Sequence, residues 1–172
     1  MTTPTIPDAA TDAVRDARLR ELADSLSLEQ QISLLTGADV WSTQAIEEIG
    51  LGRIVLSDGP SGVRGEDFDE RHDSVSLPSS SALSATWSLE LARQYGQVLG
   101  QEARRKGVHA VLGPTINLHR SPLGGRHFEG FSEDPVLTAN LAAAYVDGVQ
   151  SMNVFLGGNL IQEAIVAGGV MG

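Results

Sequence analysis

The residues best suited to chemistry lie in two long polar loops, each of which follows a short apolar run. The first loop opens with Asp58 directly after the apolar run 53–57, and it carries Arg64. An aspartate at the end of a buried strand can accept hydrogen bonds from the hydroxyl groups of a ligand. Aspartate also commonly caps its own turn through its side chain. The spacing leaves both roles open for Asp58, and for Arg64 it favours an ion pair with a loop acid.

The second loop, residues 115–134, is richer still in charged and amide side chains, and it follows the apolar run 108–112. Loops of this kind lie at the carboxyl ends of parallel strands, where α/β folds place their sites. Glu133 and Asp134 stand just before Pro135 at a predicted helix start, where acidic side chains complement the helix dipole. We therefore interpret these two acids as helix caps and not as a catalytic pair.

The elements that must position these loops alternate between helices and short strands. Helical periodicity and capping signals predict helices at 10–25, from Ser27, at 43–49, at 88–106 and at 135–150. The two apolar runs suit strands that are buried on both faces, and the strand–helix–strand order implies parallel pairing. Two strands do not make a stable parallel sheet, so we expect the residues after Val154 to supply one more strand and a short helix.

Composition excludes several classes of function. The chain has 172 residues, a net charge of −10 and no cysteine. The excess of acid disfavours binding to nucleic acid or to anionic membranes. The glycine-rich segments lack the spacing of a dinucleotide-binding or P-loop motif. With no secretory signal and no apolar span, we expect a soluble, cytoplasmic protein that uses neither a metal nor a cofactor.

Several short motifs occur in the order and spacing of one known family. They are Leu35-Thr36-Gly37, Trp41-Ser42-Thr43, Ser57-Asp58-Gly59-Pro60, Glu102-Ala103-Arg104, Gly-Gly-Arg-His-Phe-Glu at 124–129 and Ser-Glu-Asp-Pro at 132–135. Over about residues 30–154 the chain resembles the β-glucosidases of glycoside hydrolase family 3. The resemblance implies an α/β fold that is part of a (β/α)8 TIM-like barrel, with about two to three parallel strands. It also implies a retaining hydrolase that releases terminal β-linked glucose.

The resemblance assigns roles to individual loop residues. It implies that Asp58 holds hydroxyl groups of the non-reducing sugar and that Arg126 binds the same sugar. Arg64 is a further substrate-binding candidate, although it matches a family position that we interpret, like Arg120 and Glu129, as loop scaffolding. The ligand implied is a β-glucoside or an oligosaccharide.

The resemblance also implies that the catalytic carboxylates come from regions outside this chain. Retaining hydrolysis needs a nucleophile and an acid/base, and the family's Lys-His-Phe motif does not follow Val154. We therefore predict no catalytic residue and a truncated chain that is inactive alone. Predicted segments are an amino-terminal lead and helix at 1–26, barrel sequence at 27–154 and an unrelated tail at 155–172. The alternative is a non-catalytic sugar-binding fragment, or one that self-associates or completes a barrel with another chain.

Overall fold

The computed structural model describes residues 9–66, 69 and 71–157, with side chains from residue 13 onward. The chain divides into two compact units, Met1–Arg53 and Ile54–Gly172. Both loops singled out above belong to the second unit.

The described residues of the first unit form two helices and a small bridged turn. Helix α1 spans Ala9–Asp24 and helix α2 spans Leu28–Leu34, which confirms the two predicted helices. Ser27 and Gln30 form a capping box at the start of α2, where each side chain accepts a hydrogen bond from the backbone amide of the other. The helix predicted at 43–49 is wrong for most of its length. Only a 3₁₀ turn forms, Glu47–Ile49, because Thr43 and Ile46 form isolated antiparallel bridges with Gly37 and Leu51.

Three short parallel strands form a sheet in the described part of the second unit. They are β1 (Leu56–Ser57), β2 (Ala110–Leu112) and β3 (Phe155–Gly157), in the order β1-β2-β3. Leu56 lies opposite Ala110, and Ala110 lies opposite Phe155. Both predicted strands and the third strand after Val154 are therefore confirmed, although β1 and β2 are shorter than their apolar runs. The short helix expected after β3 lies outside the described residues.

Helices α3 (Ser80–Ser84), α4 (Leu89–Arg105) and α5 (Pro135–Gln150) connect and cover these strands. The Ser88 hydroxyl caps α4, and the Asp134 carboxylate accepts hydrogen bonds from the first amides of α5. The interpretation of Asp134 as a cap is thus confirmed. The sequence did not predict α3, a single short turn inside a serine-rich stretch.

The core of the second unit forms where α4 and α5 cross at glycines. A Cβ atom on Gly96 would lie 2.3 Å from the carbonyl oxygen of Tyr145, and one on Gly148 would lie 2.2 Å from that of Arg93. The two helix backbones are therefore in direct contact. Around this crossing lie the fully buried apolar side chains of Val63, Ala92, Leu99, Val111, Leu141, Tyr145 and Val149.

Substitution of Gly96 by alanine tests this backbone contact. We expect the free energy of unfolding to fall by about 1–3 kcal/mol, the usual cost of overpacking, although alanine by itself favours a helix. Urea unfolding followed by circular dichroism measures the change. Gly125→Ala is the control, because nothing lies within 4 Å of a Cβ at that position. An equal effect at both glycines would contradict a close contact between α4 and α5.

Candidate functional site

The two polar loops meet at the carboxyl end of the sheet and enclose one groove. Asp58 follows β1 directly, and Gly113 and Pro114 follow β2. The groove has a volume of about 610 Å³. Its lining comes from both loops and includes Asp58, Ser61, Ser74, Val75, Ser76, Thr115, Arg126, Phe128 and Glu129. Parallel strands thus bring together residues that are far apart in the chain.

Asp58 performs the first of the two roles that the spacing left open, and its contact with a ligand stays a prediction. Its Oδ1 accepts a hydrogen bond of 2.8 Å from the amide of Gly59, so it caps its own turn. Its carbonyl oxygen accepts hydrogen bonds from the Ser57 hydroxyl and the Arg64 amide. Among the described residues no donor reaches Oδ2, and the residue is exposed in the groove. One carboxylate oxygen therefore caps the turn, and the other keeps its capacity to accept a hydrogen bond.

Two tyrosines buried in the core support this turn through their hydroxyl groups. The Tyr145 hydroxyl donates to the carbonyl oxygen of Pro60 at 3.0 Å, and the Tyr95 hydroxyl lies 3.4 Å from the same oxygen. Tyr95 also donates to the carbonyl oxygen of Pro78 at 2.7 Å. Burial raises the pKa of both phenols, so both remain neutral donors. The turn that carries Asp58 is thus fixed to α4 and α5.

Arg126 enters the groove as half of a fork-shaped ion pair. Its Nε and Nη2 donate to the two carboxylate oxygens of Glu129 at 3.0 and 2.5 Å. The Glu129 side chain is 17% exposed and that of Arg126 is 77% exposed, so the glutamate anchors the arginine. Glu129 raises the pKa of Arg126, and the charge of Asp58 adds to the same effect. The structure therefore brings Asp58 and Arg126 together.

Arg64 is placed elsewhere. It lines a separate cavity of about 380 Å³, beside Arg71, Arg105 and Lys106. Its neighbour Val63 is fully buried in the core, while Arg64 itself is exposed. Its backbone is well anchored, because its carbonyl oxygen accepts a hydrogen bond of 3.1 Å from Lys106 Nζ. The structure does not bring its side chain to the groove that holds Asp58 and Arg126.

Three residues of the groove, Ser74, Val75 and Ser76, carried no signal in the sequence, and they return to the groove from the far end of the first loop. Phe128 belongs to the motif at 124–129 but was given no role there, and it also lines the groove. Within the described residues no group of histidine, aspartate and glutamate side chains could hold a metal ion. None of the described helices has the length and apolar character needed to cross a membrane.

Residues 41–159 match the family profile described as the Glycosyl hydrolase family 3 N terminal domain. The chain belongs to this family. It is 48% identical over 135 residues to a beta-glucosidase of Rhizobium radiobacter, an alignment that covers 78% of this chain and 16% of that protein. It is 45% identical over 141 residues to beta-glucosidase B of Emericella nidulans, covering 82% of this chain and 17% of that protein. The chain therefore spans about a sixth of the length of these relatives.

Solved structures of the family share this fold. Beta-glucosidase 3B of Thermotoga neapolitana, in complex with α-D-glucose, matches 81% of this chain and 22% of its own, with a TM-score of 0.74 and 34% identity. The beta-glucosidase of Kluyveromyces marxianus, in complex with glucose, matches 77% of this chain and 16% of its own, with a TM-score of 0.74 and 38% identity. The predicted fold class, part of a (β/α)8 barrel, is confirmed.

Removal of the Tyr145 hydroxyl tests the support beneath the Asp58 turn. We expect Tyr145→Phe to lower the free energy of unfolding by about 0.5–1.5 kcal/mol, since one hydrogen bond to Pro60 is lost and the ring is kept. Urea unfolding gives the value. Combining it with Tyr95→Phe completes a double-mutant cycle, and the shared carbonyl oxygen predicts a non-additive result. Strict additivity would show that the two hydroxyls act independently.

Proposed function

We propose that the groove binds the terminal glucose unit of a β-glucoside through Asp58 and Arg126. The observation that carries the proposal is the placement of both side chains in one groove at the carboxyl end of the sheet. A carboxylate accepts hydrogen bonds and a guanidinium donates them, so the pair complements neighbouring sugar hydroxyls, each of which can do both. Two similar proteins of the family were crystallised with glucose, which supports the choice of ligand.

For a full-length member of the family, we propose that the reaction is retaining hydrolysis of a β-glucoside. For this chain acting alone we propose binding without cleavage. The retaining mechanism needs two carboxyl groups about 5–5.5 Å apart, one as nucleophile and one as acid/base. Among the described residues that line the groove, the carboxylates are Asp58 and Glu129. Both oxygens of Glu129 are engaged by Arg126, so this carboxylate is a poor nucleophile and a poor proton donor.

Arg64 is proposed as a support of the first loop and not as a sugar ligand. Its amide donates to the carbonyl oxygen of Asp58 at 3.0 Å, and its carbonyl oxygen is held by Lys106. Through these backbone contacts it links the Asp58 turn to the end of α4.

Pairing with a second copy or with a complementing chain is a second proposal. Within the described part of the chain, β1 and β3 each pair with β2 only, and Phe155 on β3 is 69% exposed. Unpaired strand edges favour association. Light scattering on a size-exclusion column tests this, and a monomer across the accessible concentration range would contradict it.

Substitution of Asp58 tests its proposed role in sugar binding. Asp58→Asn keeps an acceptor for the Gly59 amide but removes the charge, so the turn stays capped. Because hydrogen bonds to charged groups contribute about 1.5–3 kcal/mol, we expect methyl β-glucoside to bind roughly tenfold to a hundredfold more weakly. Isothermal titration with methyl β-glucoside measures the dissociation constant. Arg120→Gln is the control, because Arg120 is exposed in the same loop, does not line the groove and, contrary to the scaffolding interpretation, has no side-chain hydrogen bond or ion pair among the described residues.

Loss of the Glu129 carboxylate tests the anchoring of Arg126. With Glu129→Gln the charged fork is broken and Arg126 is free to adopt other rotamers. We expect affinity for the glucoside to fall by about tenfold, close to the loss in Arg126→Gln itself. Undiminished affinity in Glu129→Gln would show that Arg126 needs no anchor.

An aryl β-glucoside assay tests the proposal of binding without cleavage. We expect the purified chain to release no more aryl alcohol than the Asp58→Ala variant. Turnover by the chain above that background would overturn the assignment, and a binding measurement on the same preparation shows that the chain is folded.

A further inference from the structure

Glu102 is a buried carboxylate that has no place in the groove. It lies on the inner side of α4, near the end of that helix, and its side chain is only 9% exposed. Burying a charge is costly unless it is paired and hydrogen-bonded. The hydrogen-bond partners of Glu102 therefore indicate which part of the structure its carboxylate holds in place.

Arg105 is the first of these partners. Its Nε donates to one carboxylate oxygen of Glu102 at 2.9 Å, and its Nη2 donates to the other at 2.6 Å. Such a fork fixes the plane of both groups. Hydrogen bonds from Arg105, then from the loop, lower the pKa of Glu102 to about 2, so the carboxylate is charged at neutral pH.

The remaining partners lie in the first loop. The Ser74 hydroxyl and the Val75 amide donate to Glu102 Oε1 at 3.1 and 3.2 Å. Arg105 Nη2 also donates to the carbonyl oxygen of Asp73 at 2.8 Å. One ion pair on α4 thus contacts three consecutive loop residues, two of them through the backbone.

The segment that this pair holds is also a wall of the groove. Ser74, Val75 and Ser76 line the groove together with Asp58 and Arg126. Behind the wall, a Cβ atom on Gly62 would lie 2.9 Å from the carbonyl oxygen of Val75. The Leu77 amide donates to the carbonyl oxygen of Ser61 at 2.8 Å. The wall therefore packs directly against the turn that follows Asp58.

We infer that Glu102 and Arg105 are positioning residues that hold the Ser74–Ser76 wall beside Asp58 and so govern the affinity of the groove for its sugar. Neither side chain lines the groove, and they act through the loop backbone. This inference rests on the proposed function, because it needs a sugar in the groove to be measured. A pair that served only to stabilise α4 would change the stability of the helix and leave the sugar affinity unchanged.

The experiment compares sugar affinity with local protection of the wall. Variants Glu102→Ala, Glu102→Gln and Arg105→Ala are titrated with methyl β-glucoside, and amide hydrogen exchange is followed over residues 73–77. We expect Glu102→Ala and Arg105→Ala to weaken binding by about tenfold or more and to speed exchange in the wall selectively. Glu102→Gln retains acceptors for Ser74 and Val75, so it should recover part of the affinity. Arg104→Gln is the control, because Arg104 is exposed and no hydrogen bond or ion pair of its side chain occurs among the described residues.

The two proposals fail in different ways. If the unaltered chain does not bind the glucoside, the proposed function is overturned. If it binds and the variants bind equally well, only the positioning role is overturned. Faster exchange throughout α4 and α5 would show a general loss of stability, which also overturns the positioning role. Should Glu102→Ala fail to fold, Glu102→Gln and Arg105→Ala supply the same comparison, because each breaks the ion pair and leaves either an acceptor or the carboxylate in place.

Discussion

The backbone contact between α4 and α5 is the constraint on which the site depends. Because Gly96 and Gly148 carry no side chains, the two helices approach until backbone atoms touch. This approach sets Tyr95 and Tyr145 side by side, with ring centroids 5.6 Å apart. Their hydroxyls then converge on one carbonyl oxygen two residues beyond Asp58. A packing feature of the core thus reaches the turn that carries Asp58, through the Tyr145 hydrogen bond to Pro60 and the Tyr95 hydrogen bond to Pro78.

A second set of contacts serves the opposite side of the groove. The Arg126 side chain is largely exposed there, and an unanchored arginine would lose much conformational freedom on binding a ligand. Glu129 reduces that cost, because the fork holds the guanidinium before any ligand arrives. Near the C-terminal end of α4, Glu102 and Arg105 likewise hold the backbone of residues 73–75 in place. In each case a partly or largely buried acid organises a flexible polar element.

The sequence predicted the helices and strands best where the local pattern was strong. Helix α5 has the predicted bounds, since proline opens it and Asp134 caps it, and α4 agrees to within a residue at each end. Prediction failed where local and long-range interactions compete. Residues 43–49 have helical spacing, but Thr43 and Ile46 pair with residues outside the segment in isolated bridges, and only a 3₁₀ turn remains at Glu47–Ile49. The motifs were more informative than the periodicity, because they identified the family that the comparisons then showed.

The sequence by itself determined the family, the order of the strands and of the long helices, and the two residue types suited to holding a sugar, Asp58 and Arg126. These follow from local spacing and from motifs, both of which are properties of short stretches of chain. Tertiary structure alone decided that Arg64 faces a different cavity, that two core tyrosines support the Asp58 turn, and that Glu102 holds residues nearly thirty positions earlier in the chain. The physical reason is that these outcomes depend on which backbone groups the packed helices bring within hydrogen-bonding distance, and sequence separation carries no record of that distance.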